Sequence, residues 1–510
     1  MNDELQNDGT SAPRWSKGEK QERELTSRSQ QRGGPLLEKY DMTIGIECHV
    51  QLATATKLFS PADNDARDGA PNSKTHPIDF GLPGMLPILN REAVNLAIKA
   101  GKALNADIAR VSRFDRKHYF YPDLPKGYQT TQMYQPIIQA GYIDAPLEDG
   151  GSVRVRIHHA HMEEDAGKLT HYAGYSLVDL NRAGTPLIEI VSEPDIHSAA
   201  EAKAYASELY RLMTYAGVTH GDLYHGNMRF DVNISIAPKG STELGTRAEV
   251  KNLNSFRSVE RAAEYEFQRQ AELLERGERV VQETRGWSDD TGQTTSQRSK
   301  EDAQDYRYMP DADIPPIVLT DEEITTIQAT VPKLPPEYRA EWAELSVDKS
   351  VINSVLANQQ YAKLLSAVLT DGGVPAAKRV ANWIASNLSV DETTDDTKNA
   401  DVADLLALCE MVDKAEVTSN AATDLFNQLM NGAVDPRQLA TDQSLLQNSD
   451  EDAIAVIVDA VLADPASQKA VEDIRAGNDK AIGFLVGQVM KQSKGQANPG
   501  LAQKLIRERL

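Results

Sequence analysis

A carboxylate and an imidazole stand two residues apart, as Glu47 and His49, in the stretch from Met42 to Leu52. Apolar side chains occupy every even position of this stretch, and polar side chains or glycine occupy the odd positions. Because successive side chains of a β-strand point to opposite faces, the pattern predicts a strand with Glu47 and His49 together on one face. Two such ligands can reach a single divalent cation, although an ordinary half-buried strand shows the same alternation.

A second group of candidate residues follows a strand-like alternation over residues 153–158. The chain then presents Glu163, Glu164 and Asp165 in succession, followed by an alanine, a glycine and Lys168. Consecutive acids fit a regular element poorly, so we expect a loop here that holds a cation and a phosphate together.

Two later stretches repeat the alternation of the first. Residues 228–236 place apolar side chains on one face and Arg229 and Asp231 on the other, and Glu249 and Lys251 alternate with apolar residues soon afterwards. A sheet that collects these groups and the first strand on one polar face is typical of an active-site floor. We therefore expect the catalytic domain in this part of the chain.

Between these strands, residues 114–128 interleave aromatic side chains with Arg116, Lys117 and Lys126. Such a segment can stack on a base or contact phosphate. A packed aromatic corner has the same composition, so both interpretations stay open.

The composition limits the class of protein. A length of 510 residues with 40% hydrophobic residues predicts two or three domains. The formal net charge of −22 argues against a general nucleic-acid-binding surface but does not exclude a local basic patch. No apolar run is long enough for a transmembrane helix. Two cysteines, Cys48 and Cys409, provide no disulfide framework and fit a reducing cytoplasm.

The character of the chain changes along its length. Residues 1–39 are polar and are expected to form a disordered tail. Residues 40–333 carry the strand-like patterns and are predicted to form the catalytic domain. Residues 334–434 are predicted to form a helical domain, and residues 435–510 a small helical tail domain.

The tail ends in basic residues on an otherwise acidic chain, namely Lys491, Lys494, Lys504, Arg507 and Arg509. Clustered cations favour contact with a phosphate backbone. A solvated helix end with cations at its negative pole explains the same pattern equally well.

Five motifs, taken in order, resemble a single known family. They are Ile44–Val50, Phe114–Asp123, His161–Lys168, Leu187–Asp195 and Glu249–Phe256. The family is the B subunit of the glutamine-dependent aspartyl/glutamyl-tRNA amidotransferase, and the resemblance extends from about Tyr40 to Leu510. It implies an α+β fold in which a cradle-like mixed-sheet catalytic domain is followed by an all-α helical domain and a small helical tail that binds tRNA.

The resemblance also implies an activity. Members are ATP-dependent ligases that act on misacylated Glu-tRNA(Gln), Asp-tRNA(Asn) or both. ATP phosphorylates the free side-chain carboxylate, and ammonia then displaces the phosphate to leave the amide. The amidase A subunit makes the ammonia from glutamine, and a small C subunit completes a cytoplasmic heterotrimer.

Phosphoryl transfer of this kind needs a divalent cation and cationic clamps on the phosphates. The resemblance assigns a magnesium site to Glu47, His49, Glu163 and Glu164, with Glu164 preferred over Glu163. The candidate catalytic residues are Glu47, His49, Glu164 and Lys168. The candidate nucleotide contacts are Arg229, Asp231 and Lys251, and the candidate tRNA contacts are Lys491, Lys494, Lys504 and Arg507.

One position departs from the family pattern. Many members carry a Cys-x-x-Cys pair of a structural zinc site just before the Gly-Leu-Pro-Gly turn, whereas this chain has His76 and Asp79 there. A stable zinc site needs four good ligands, usually rich in thiolate. We therefore expect ATP and Mg²⁺ as cofactors, and no zinc.

Two other interpretations compete with this one. The archaeal glutamyl-tRNA-specific subunit shares the cradle but carries a large inserted domain, for which residues 308–336 leave no room. A non-catalytic tRNA-binding module that uses the tail alone would leave Glu47 and His49 dispensable and would show no ATP turnover.

Overall fold

The structure, a computed structural model, describes residues 36–299, 305–387, 400–447, 451–476, 478–493 and 497–510. The chain divides into two compact units, one ending at Leu334 and the other beginning at Pro335. The first unit mixes strands and helices and the second is helical, so the predicted α+β class is confirmed. Among the residues outside the described ranges are most of the expected disordered tail, residues 388–399, and Lys494.

The described strands of the first unit form one large sheet and three small sheets of two or three strands. In chain order they are β1 (Tyr40–Gln51), β2 (Val111–Ser112), β3 (Asp115–His118), β4 (Tyr128–Thr131), β5 (Gly141–Pro146), β6 (Ser152–Glu164), β7 (Lys168–Tyr172), β8 (Tyr175–Asp179), β9 (Pro186–Ser192), β10 (Met228–Pro238), β11 (Ala248–Leu253), β12 (Glu283–Ser288), β13 (Gln293–Ser299), β14 (Met309–Pro310) and β15 (Ile317–Val318). The helices are α1 (Arg91–Ala103), α2 (Ala199–Tyr215), α3 (Phe256–Glu275) and α4 (Asp321–Gln328).

Eight of these strands form a mixed sheet in the order β13-β12-β11-β10-β1-β9-β6-β5. Neighbouring strands are antiparallel except β11 and β12, which are parallel. β1 therefore lies at the centre of the sheet, between β10 and β9.

The predicted alternation of β1 is confirmed. Its even-numbered residues from Met42 to Val50 are buried, and its odd-numbered residues are half-buried on the opposite face. The buried face packs with α1, α2 and α3 in one apolar core, to which Val94, Tyr205 and Val259 contribute. Removal of this apolar surface from water holds the sheet and helices together, and it leaves the other face to the polar side chains.

The expectation of a loop over His161–Lys168 is wrong for most of that stretch. β6 continues to Glu164, because Ala160 and Met162 alternate into the core. The register of β6 against β9 shifts between Ile157 and His159, which marks a β-bulge. Before the bulge the odd-numbered residues face the core, and after it the even-numbered residues do.

The described part of the second unit consists of helices. They are α5 (Pro335–Glu341), α6 (Lys349–Val355), α7 (Gln359–Asn387), α8 (Val402–Asp413), α9 (Ser419–Met430), α10 (Pro436–Asp442), α11 (Glu451–Ala463), α12 (Gln468–Arg475), α13 (Ile482–Gln492) and α14 (Pro499–Arg509). α10 packs against α8 and α9, and Arg437 Nη1 lies 2.8 Å from Glu416 Oε2. Helices α11 to α14 enclose an apolar core that includes Val458, Leu485 and Leu505.

Candidate active site

The polar face of the large sheet arranges side chains in rows set by strand register. Opposite His49 of β1 lie Glu189 of β9 and Arg229 of β10. Opposite Glu189 lies His161 of β6. Four neighbouring strands therefore bring one acid, two imidazoles and one guanidinium group into a single row.

One cluster of potential metal ligands consists of His49, Glu163 and Glu189. His49 Nε2 lies 3.4 Å from Glu163 Oε1 and 3.5 Å from Glu189 Oε2, and His161 Nε2 lies 3.4 Å from the same Glu189 oxygen. Burial alone would lower the pKa of His49, but the hydrogen bond to Glu189 and the charges of Glu163 and Glu189 raise it to about 9. The hydrogen bond to Glu189 and the charges of both acids also raise the pKa of His161, against the effect of burial, so each imidazole of the row is stabilised by these acids.

A second cluster consists of Glu47, Asp231 and Glu249. Asn233 Nδ2 donates to Glu47 Oε1 at 3.0 Å, and the ammonium of Lys251 lies 2.6 Å from Asp231 Oδ2 and 3.1 Å from Glu249 Oε1. Burial, followed by the charges of Glu189, Asp231 and Glu249, raises the pKa of Glu47. Three carboxylates in one place repel one another, and such a site is stabilised by a cation.

The structure groups the expected metal ligands differently from the sequence-based assignment, which stays a prediction. Glu47 and His49 share a strand face as predicted, but they belong to different clusters rather than to one site. Glu163, and not Glu164, lies beside His49, because the bulge in β6 turns Glu163 to the polar face. Glu164 points to the other side, where it pairs with Lys126 and accepts the backbone N–H of Thr130 at 2.9 Å.

The candidate phosphate contacts are divided between the site and a position outside it. Arg229 Nη2 lies 3.0 Å from Asp165 Oδ2, and the charge of Asp165 raises the pKa of Arg229. Lys251 caps the carboxylate cluster, with Asp231 as its nearest partner. Lys168 is exposed at the start of β7 and belongs to neither cluster.

Two residues of the site, Glu189 and His161, were absent from the sequence-based candidates, and Asp165 was included only as one of three consecutive acids. Glu189 was visible as an acid in a strand-like run, but nothing in the sequence pairs β9 with β1 rather than with another strand. Asp165 was visible as the third consecutive acid, and its contact with Arg229 depends on the sheet order.

A cavity of about 480 Å³ adjoins the carboxylate cluster. Glu47 and Asn233 line it on one side, and Gly45, Pro194 and Arg247 are among its other lining residues. A Cβ atom on Gly45 would meet its nearest neighbours, Ser192 and Pro194, at 3.8 to 3.9 Å, which is ordinary van der Waals contact without a clash. The cavity has the size of a small-molecule site.

The two donor sets suit different cations. Glu47, Asp231 and Glu249 offer only oxygen ligands, which hard cations such as Mg²⁺ prefer. His49, Glu163 and Glu189 offer one nitrogen and two carboxylates, a set that also accepts Mn²⁺. Both sets fit a divalent cation, and the all-oxygen set fits Mg²⁺ better.

The segment expected to lack zinc contains a buried ion pair. Lys57 Nζ lies 3.2 Å from Asp79 Oδ2, with side-chain exposures of 0% and 4%, and the backbone N–H of His76 donates to the same oxygen at 2.9 Å. Burial lowers the pKa of Lys57, and Asp79 partly offsets that effect. The lack of zinc stays a prediction.

In the segment at residues 114–128, one part is packed as an aromatic corner and another part is open to a base or phosphate. Phe114 is buried and packs edge-to-face on Phe59, as in a packed corner. Phe120 and Tyr121 are 83% and 51% exposed, and they remain accessible to a ligand.

The basic residues of the tail are largely engaged with acids. Lys504 lies 3.7 Å from both Glu451 and Glu508, and Arg507 Nη2 lies 3.3 Å from Asp479. Arg509 Nε lies 2.6 Å from Asp459. Lys491 is exposed in the last turn of α13.

Among the described residues, no helix combines the length and low polarity that crossing a membrane requires.

Comparison with known proteins identifies the family. Residues 42–325 match the family described as GatB/GatE catalytic domain, and residues 363–510 match the family described as GatB domain. The chain is 44% identical to the B subunit of the aspartyl/glutamyl-tRNA(Asn/Gln) amidotransferase from Alkalilimnicola ehrlichii, over 92% of this chain and 99% of that protein. It is 45% identical to the corresponding protein of Halorhodospira halophila, with the same coverage, and 41% identical to that of Trichodesmium erythraeum, over 93% and 99%. The chain belongs to the family of B subunits of the aspartyl/glutamyl-tRNA(Asn/Gln) amidotransferases.

Proposed function

We propose that this chain is the synthetase subunit of a glutamine-dependent amidotransferase that converts misacylated Glu-tRNA(Gln), Asp-tRNA(Asn) or both to the amidated forms. The observation that carries the proposal is the position of the Glu47–Asp231–Glu249 cluster beside the cavity of about 480 Å³. A cavity for a nucleoside next to carboxylates that bind a cation is the arrangement that ATP-dependent activation of a carboxylate needs.

The chain's own groups bind and position the reactants. Gly45, Pro194 and Arg247 line the space for the nucleoside, and Glu47 stands at its edge. Glu47, Asp231 and Glu249 would hold Mg²⁺, which would supply positive charge to the transferred phosphoryl group. Since the reaction is dominated by positioning and electrostatics, the protein supplies no covalent intermediate.

Cationic side chains next to the clusters hold the phosphate oxygens. Lys251 lies on Asp231 and Glu249, and Arg229 lies in the next row of the sheet. The γ-phosphoryl group passes from ATP to a carboxylate oxygen of the tRNA-bound amino acid, and ADP leaves. Ammonia then attacks the acyl carbon, the phosphate leaves, and the new amide loses a proton.

The His49–Glu163–Glu189 cluster is proposed to take part in the same phosphoryl transfer. Its acids can hold a second divalent cation, with Glu163 rather than Glu164 as the ligand beside His49. Lys168 is proposed to contact the substrate outside these clusters.

The partners follow from the chemistry. Ammonia must come from a glutaminase, so we propose an amidase A subunit and a small C subunit in a cytoplasmic heterotrimer. Lys491, Lys494, Lys504 and Arg507 are proposed to contact the tRNA phosphate backbone. Those that are paired with exposed acids can exchange them for phosphate.

The experiment is to assemble the chain with its A and C subunits and to supply γ-labelled ATP with each misacylated tRNA. We expect label transfer to the aminoacyl-tRNA, and amide formation when glutamine is added. A tRNA-binding module without catalytic function would bind the tRNA with no label transfer, and that result would refute the proposal.

A further inference from the structure

A two-stranded ribbon begins directly after the acids of the candidate active site. Glu163 lies in the site, and the chain reaches Lys168, the first residue of β7, five residues later. Among the described strands, β7 and β8 pair with each other and are outside the large sheet. Each strand has five residues, so the ribbon is about 17 Å long.

The root of the ribbon is fixed to the site. The backbone N–H of Gly167 donates to Asp123 O at 2.8 Å, and a Cβ on Gly167 would come within 2.8 Å of Leu180 and 3.0 Å of Asp179 O. Arg182 donates to the carbonyls of Ala166 and Gly167 and also lies 3.3 Å from Asp165 Oδ2. The ribbon therefore leaves the site in a defined direction.

One face of the ribbon is exposed except at its root on β8, where Asp179 is half-buried. The register places six residues on this face, which we call the ribbon face: Lys168, Thr170, Tyr172, Tyr175, Leu177 and, opposite Lys168, Asp179. Tyr172, Tyr175 and Leu177 are 51%, 59% and 55% exposed. The other face carries Leu169 and Val178, which are half-buried near the root, and His171 and Ser176, which are exposed towards the turn.

The two tyrosines form a ready-made stacking surface. Their ring centroids are 5.1 Å apart and the ring planes differ by 15°. Exposed aromatic rings on a ribbon of only two short strands are costly to leave in water, so they indicate a ligand. Flat aromatic surfaces bind unpaired bases, whose faces are free, far better than bases inside a duplex.

We propose that the ribbon face binds the unpaired nucleotides at the 3′ end of the misacylated tRNA, with their bases stacked on Tyr172 and Tyr175. This inference rests on the proposed function. The amino acid is esterified to the terminal ribose, so the unpaired nucleotides must pass beside the site whenever the side chain reaches it. Lys168, at the root of the same face, is placed to contact a phosphate between them.

The test uses the assembled enzyme and a misacylated tRNA with 2-aminopurine in place of an unpaired base near its 3′ end. Stacking on an aromatic ring quenches the fluorescence of this base. We expect Tyr172→Ala with Tyr175→Ala to remove the quench and to raise the KM for tRNA about 10-fold or more, with a smaller effect on kcat. The matched control, Tyr172→Phe with Tyr175→Phe, keeps both rings and should behave as the wild type.

The outcomes separate this inference from the proposed function. If the wild-type enzyme fails to phosphorylate the misacylated tRNA, the proposed function is wrong. If the wild type is active but the double alanine variant keeps its quench and its KM, only the ribbon assignment is wrong. If the alanine variant instead no longer assembles with its partner subunits on size-exclusion chromatography, the face is a subunit interface and the assignment is overturned.

Discussion

Replacing Glu47 by glutamine should stabilise the protein while removing its metal-dependent activity. Burial and the nearby acids Glu189, Asp231 and Glu249 raise the pKa of Glu47 above its value in the unfolded chain. A carboxyl group with a raised folded pKa stabilises the fold below its unfolded pKa, and that contribution is lost as the pH rises through the folded pKa. At pH 8 the ionised carboxylate therefore costs stability, and an uncharged amide of the same shape removes the cost.

The same change should weaken cation binding strongly. Substitution of residues that only support metal ligands costs about 10- to 100-fold in affinity, so loss of one of three direct carboxylates should cost more than 100-fold. That factor corresponds to at least about 2.8 kcal/mol. The EPR signal of free Mn²⁺ follows cation binding, and it is analysed for two sites because the His49–Glu163–Glu189 cluster also accepts Mn²⁺; Glu47→Gln should weaken one of them. Label transfer from γ-labelled ATP to the misacylated tRNA measures the activity.

Glu164→Gln is the matched control, since Glu164 is a buried acid of the same sheet that lies outside both clusters. Its side chain is 4% exposed and pairs with Lys126, which is 11% exposed. Breaking a buried pair leaves an uncompensated charge and should cost about 3 kcal/mol, or about 6 °C in Tm. Mn²⁺ affinity should stay close to that of the wild type. Wild-type Mn²⁺ affinity at both sites in Glu47→Gln, or a lower Tm for that variant at pH 8, would refute the reasoning.

Four further predictions address other parts of the chain. Gly45→Val should fill part of the cavity and raise the KM for ATP about 10-fold with little change in Tm, because a Cβ at this position meets its neighbours at ordinary van der Waals distance. An unchanged KM would show that the nucleoside does not bind in this cavity. Burial and the neighbouring His161 and His158 lower the pKa of His159 to about 4, so stability should be complete above about pH 6.5 and fall as the pH drops towards 4. His159→Gln should lose less Tm across that window in differential scanning calorimetry, and an identical pH profile would contradict this. Elemental analysis should find no stoichiometric zinc and chelation should leave the Tm unchanged, since Lys57 and Asp79 already neutralise each other; one zinc per chain would prove otherwise. Truncation after residue 447, which retains α10 with the helices it packs against, should raise the KM for tRNA and flatten its salt dependence, while the glutaminase activity of the partner should survive. An unchanged KM would make the tail a docking or stability element.

The sequence determined the local parts of the site. A strand has a period of two residues, so the alternation in β1 and β10 was sufficient to place Glu47, His49, Arg229 and Asp231 on polar strand faces. The starts of helices also depend on neighbouring residues in the sequence. At the start of α1, the Asn90 side chain accepts the backbone N–H of Glu92 at 2.9 Å. Motif order was sufficient to predict the family, which the comparisons confirm.

Only the tertiary structure decided which of these groups meet. An unbroken alternation through β6 would have turned Glu164 to the polar face, and a bulge of one residue between Ile157 and His159 turns Glu163 there instead. Strand order then brings Glu189 of β9 beside His49, while Glu47 faces Asp231. Periodicity along one strand carries no information about which strand pairs with it, because that choice is made by long-range burial and register. The division of the acids into two clusters is therefore a property of the folded sheet.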